Sequence, residues 1–223
     1  MRARFPIVIE MLKHKAFITA IVSLVPLSLA PGVDPKSEGN APIKDQHGLL
    51  KDIASAPFPL PITRVMDLLE QQIKYIADRE RLIIAFGRGD YGIASQGLQR
   101  LADRGDGVAQ LYMGVIYDHG HHVAQNYITA VTWYRKSAEQ GVVEAQNNLG
   151  VHYTNGQGVP EEYLQAYKWF YLAAAQGNSQ ASRNRDMLAR RMSVGQIAEA
   201  RQLALNWIKE HGNDPRYHTQ SSQ

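Results

Sequence analysis

Residues 118–122, Asp-His-Gly-His-His, place three imidazoles and a carboxylate within five positions. Imidazole nitrogens beside a carboxylate oxygen are a ligand set for a divalent transition metal such as zinc or copper. His119, His121 and His122 are therefore the candidate metal ligands of the chain. Two considerations weigh against a metal. Consecutive His121 and His122 point in different directions, and no second residue is evident to orient a ligating ring. The stretch reads instead as a solvated loop, and no cofactor is expected.

Other chemistry is sparse. The sequence has no Gly-rich phosphate loop, no HExxH pair and no cysteine nucleophile. No catalytic residue is assigned, and the protein is read as a non-enzyme. Glu161 and Glu162 follow Pro160 and are read as first-turn residues of a helix, favoured by its dipole. Trp133, Trp169 and Trp207 could form an aromatic platform for a ligand, but their helical spacing reads as core. Arg183, Arg185, Arg190 and Arg191 read as a solvated helix face. The alternative has them docking acidic groups of a partner or lipid head groups.

The elements that must carry these residues form a repeat. Laid over one another, residues 105–140 and 141–176 agree at thirteen positions. These include Gly105/Gly141, Ala109/Ala145, Gln110/Gln146, Gly114/Gly150, Trp133/Trp169 and Gln140/Gln176. Flanking half-matches start upstream near residue 88 and run downstream to 211. Each unit splits into two helices, one over about 108–119 (144–155) and one over about 126–140, with Gly141 ending the second. In this register the histidine stretch is the loop between the two helices, and His122 replaces Gly158. If that slot needs a positive φ, His122 takes on modest strain. Gly114 and Gly150 fall mid-helix, where glycine costs about 1 kcal/mol relative to alanine. Their recurrence predicts close helix approach beneath a bulky side chain, with the tryptophan as the candidate.

The pattern A-Q-x-x-[ML]-G-V-x-Y-x-x-G, then V-x-x-x-Y-x-x-A-x-x-W-[YF], then A-x-Q-G, resembles the Sel-one-like repeat, a relative of the tetratricopeptide repeat. The resemblance covers about residues 88–211, and the C-terminal NRDMLARRMSVGQIAEARQLALNW is similar to the closing unit of exported bacterial members. It implies an all-α fold, a right-handed α-solenoid of antiparallel helix pairs, used for protein–protein interaction. Some cysteine-rich relatives are linked to β-lactam binding or hydrolysis. This chain has no cysteine and no S-x-x-K, so that activity is a remote alternative, behind metal or small-ligand binding.

In such solenoids the first helices line the concave face. Positions 108/144, 112/148, 116/152 and 119/155 differ between the units, and they advance by four, four and three. They predict a partner-binding stripe of Tyr112, Ile116, His119, Glu144, Asn148, His152 and Asn155. Carried into the next unit, the register adds Asn184, Leu188 and Arg191. The expected partner is a protein or peptide.

Charge bears on the rest. The pI near 9.0 suggests a basic protein. Residues 1–30, however, hold Arg2, Arg4, Lys13 and Lys15 against Glu10, leaving 24 − 4 = 20 basic and 21 − 1 = 20 acidic side chains beyond them. No footprint for nucleic acid remains. Lys13-His14-Lys15 followed by the apolar 16–30 reads as a signal peptide cleaved after Ala30. Periplasmic or secreted location follows, with an uncleaved inner-membrane anchor as the alternative and Met11 as an alternative start. Residues 31–61 read as a flexible linker, 62–86 as a leading helix and 212–223 as a disordered tail. Without cysteine, no disulfide can brace an exported fold.

Overall fold

The computed structural model describes residues 62–211. The signal segment, the linker and the tail lie outside those residues. Among the described residues there are eight α-helices and no strand. Helix α1 (Ile62–Gly87) belongs to a first unit that ends at Asp90. Its Gln72 and Tyr75 are buried on one face, and it is terminated by a turn in which the Asp90 amide donates to the Ala85 carbonyl.

The second unit starts at Tyr91 and runs through α2 (Tyr91–Asp103), α3 (Gly107–His119), α4 (Tyr127–Glu139), α5 (Val143–Asn155), α6 (Tyr163–Ala175), α7 (Ser179–Ala189) and α8 (Val194–Glu210). Each of α2 to α6 packs on its successor, and α6 also carries α8. The result is a stack of antiparallel helix pairs, an α-solenoid. Side chains mark several helix starts. Asp106, Asn126, Asn178 and Ser193 accept hydrogen bonds from Ala109, Thr129, Ala181 and Gln196 amides, and Ser193 completes a capping box. Glu161 and Glu162 stand before α6 and not in its first turn, because that helix begins only at Tyr163.

The mid-helix glycines are contact points. A Cβ on Gly114 would lie 2.4 Å from the Tyr134 ring, and one on Gly150 would lie 2.6 Å from the Phe170 ring. The aromatic over each glycine is thus the residue after the tryptophan, not the tryptophan itself. Trp169 and Trp207 are buried against each other edge to face, with ring centroids 6.1 Å apart. Trp133 is only half-buried and has the Lys136 ammonium over its ring.

A glutamine ladder stitches the units together. Buried Gln110 donates to the Ala102 carbonyl at the end of α2, and buried Gln146 donates to the Ala138 carbonyl at the end of α4. Their side-chain oxygens accept from Gln140 at 2.7 Å and Gln176 at 3.0 Å, residues that close their own units. Each buried amide is satisfied: the bonds to Ala102 and Ala138 tie a repeat to the one before it, and the bonds from Gln140 and Gln176 join the two helices of one repeat.

Candidate interaction surface

Helices α5 and α7 are the first helices of successive units and lie side by side, with Phe170 of α6 beneath them. Val151, Thr154 and Asn155 of α5 line a cleft of about 380 Å³ together with Asn184, Met187 and Leu188 of α7. Arg191, just past α7, completes the lining. Phe170 and Leu188 are buried, giving an apolar floor, whereas Met187 is 57% exposed at the lip. Asn184 is fixed by donating to Asn147 at 2.9 Å and accepting from Gln180 at 2.9 Å. Arg191 donates to the Tyr163 hydroxyl, lies 4.6 Å over that ring and stands 3.7 Å from a Glu161 carboxylate oxygen.

The cleft gathers four members of the stripe: Asn155, Asn184, Arg191 and, at its floor, Leu188. Tyr112, Glu144 and Asn148 lie elsewhere on α3 and α5, with Glu144 exposed and the other two half-buried. The third position of the stripe is a correction. Ile116 (0% exposed), His152 (3%) and Leu188 (2%) are buried in all three units. A step of four residues rotates about 40° around a helix of 3.6 residues per turn, so two such steps carry the stripe onto the packed side. His119, three residues on, rotates back to solvent with 59% of its side chain exposed.

Buried His152 belongs to a polar junction between repeats. Its Nδ1 lies 2.9 Å from the Gln157 carbonyl oxygen, and its Nε2 lies 3.3 Å from Asp118 Oδ1. The Tyr134 hydroxyl donates to Asp118 Oδ2 at 3.3 Å. Burial, and then the Asp118 charge and hydrogen bond, push the Tyr134 phenol well above its ordinary pKa, against the opposing hydrogen bond with Asn148.

The histidine loop is organised by stacking. His121 lies on Tyr91 with centroids 4.2 Å apart, and His119 lies parallel to His121 at 5.4 Å. His119 Nδ1 is 3.1 Å from the Val115 carbonyl oxygen. His122 has φ 63°, matching the 75° of Gly158 in the next unit. Its ring packs over Gly92. Among the described residues, no three His, Asp or Glu side chains are grouped as a metal would require.

The fold therefore defines a helical-repeat protein with extended surfaces of the kind that serve protein–protein interaction. Residues 107–142 and 143–178 each match the Sel1 repeat, so the chain carries two such repeats. The matched units keep the 36-residue period and begin two residues later than the sequence alignment above placed them. Among curated proteins, none matches. Among solved structures, the chain is similar to a protective antigen present in uropathogenic Escherichia coli strains that displays an SLR fold. The TM-score is 0.61 with 19% identity, covering 92% of this chain and 47% of that one. It is also similar to a Sel1 repeat protein from Oxalobacter formigenes, with a TM-score of 0.46, 31% identity and coverage of 61% and 57%. The chain thus spans about half the length of these two structures.

Proposed function

We propose that this protein is a non-catalytic interaction module that binds an extended segment of a partner protein across α5 and α7. The α5–α7 cleft is the observation that carries the reading. It combines an apolar floor with two asparagine side chains and one arginine, the mixture that lets a peptide bury one side chain while its backbone keeps hydrogen bonds. The basic and apolar residues at 13–30 support export, with the interaction taking place in the periplasm or beyond it. Among the described residues no helix is long and apolar enough to cross a membrane.

Site-specific photo-crosslinking tests this. A photoreactive residue at Asn155 or Met187 should give a discrete partner adduct in cells, while one at exposed Ile128 or Leu205 should not. Equal labelling from all four positions would refute the assignment of this face.

A further inference from the structure

We infer that the α5–α7 cleft selects a peptide segment in which a large apolar side chain stands next to a carboxylate. This rests on the interaction reading above and adds the chemistry of the occupant. Three observations converge on it.

The first is size. A cleft of about 380 Å³ is at the small end of ligand sites, which run from about 300 to 1,000 Å³. It suits one large side chain with its flanking backbone. Phe170 and Leu188 form a fixed floor, and exposed Met187 is unbranched and can adapt to the incoming group.

The second is charge. Residues 179–191 carry Arg183, Arg185, Arg190 and Arg191 against Asp186 alone, a balance of 4 − 1 = +3. Arg185 is engaged by Asp186 at 2.8 Å. The remaining cations favour an anionic segment and repel a basic one.

The third is the state of Arg191. Its ion pair with Glu161 is long, at 3.7 Å, and both side chains are more than half exposed. Such a pair contributes little. A ligand carboxylate can replace Glu161 and take two parallel N–H···O bonds from the guanidinium while the ring of Tyr163 still supports it. An anionic membrane meets the charge requirement equally, but a flat bilayer leaves the apolar slot unfilled. The slot favours the peptide.

The test is a phage-displayed random-peptide selection against the full chain, followed by fluorescence anisotropy on synthetic peptides of the enriched sequences. Leu, Met, Ile or Phe directly beside Asp or Glu should dominate. Arg191→Glu should weaken binding about ten-fold and shift the preferred neighbour to Lys or Arg, while Met187→Glu should weaken it to a similar extent. Both positions are on the surface, and circular dichroism should be unchanged. Enriched peptides without acidic residues, or affinity indifferent to Arg191→Glu, overturn the inference. If peptides bind but respond only to Tyr112→Ala or Asn148→Ala, an interaction surface stands and this occupant fails. If nothing is enriched and no position crosslinks a partner, both readings fail. Co-sedimentation with phosphatidylglycerol vesicles that Arg191→Glu abolishes, without peptide binding, overturns it in favour of a membrane.

Discussion

Nε2 of His152, a side chain 3% exposed, lies 3.3 Å from Oδ1 of Asp118 in the preceding repeat. The contact crosses from α3 to α5 and links the two units through a charged group. His152 occupies a stripe position that looks like surface in the sequence. Its role is instead to bind two repeats together.

The link should be energetically coupled. Residues in direct contact within one polar network show interaction energies of about 0.5–3 kcal/mol in double-mutant cycles. Asp118→Ala and His152→Ala should each destabilise the fold, and the double variant should lose less than the sum. Urea unfolding of the four proteins measures this, and strict additivity would show that the junction is not coupled.

The glycine contacts set a second expectation. Alanine at position 150 gains about 1 kcal/mol of helix propensity. Its Cβ would nevertheless meet the Phe170 ring at 2.6 Å, and that ring is buried. Overpacking of this kind costs about 1–3 kcal/mol, so Gly150→Ala and Gly114→Ala should both lower the melting temperature. An unchanged or raised melting temperature would mean that the rings can move aside.

Alkaline pH gives a third. Folding raises the Tyr134 phenol pKa, so above its unfolded value near 10 the folded state holds a proton that the unfolded chain releases. Its contribution is constant below that pH and is lost as pH rises further, with a slope of up to about 1.4 kcal/mol per pH unit. Lys168 has the opposite sign. Burial lowers its pKa, opposed by the charges of Glu139 and Glu210, so stability rises with pH between the lowered value and that of free lysine. Tyr134→Phe should flatten the alkaline loss in chemical denaturation from pH 9 to 11, and Lys168→Met should steepen it. Parallel curves for both variants and the parent would contradict these assignments.

Much of the fold was legible because a repeat reports its own register. Thirteen identities at one offset located the helices, their loops and the two mid-helix glycines. The identity of the ring over each glycine was not legible. Trp133 and Tyr134 are adjacent, about 100° apart around the helix, and periodicity does not say which of two neighbouring aromatics meets the partner helix. The stripe failed at Ile116 and His152 for a related reason. Variation between units marks positions whose surroundings differ, and a buried junction with its own polar partners differs as readily as a surface. The cleft was half legible. Asn155, Asn184, Leu188 and Arg191 lay on the stripe, whereas Val151, Thr154, Phe170 and Met187 joined it only through the packing of three helices. The strain foreseen at His122 is present as its positive φ.

The glutamine ladder has a consequence for copy number. Gln110 and Gln146 recur at the 36-residue period, but the next place in that series is Ser182, whose hydroxyl turns back to the Asn178 carbonyl of its own helix. The Ala174 carbonyl therefore receives no counterpart of the long amide that joins the earlier units. A duplicated 36-residue module inserted before residue 179 would bring its own glutamine and find its acceptor waiting, whereas one added after Ser182 would not. The array can lengthen from within, and it carries its own stop.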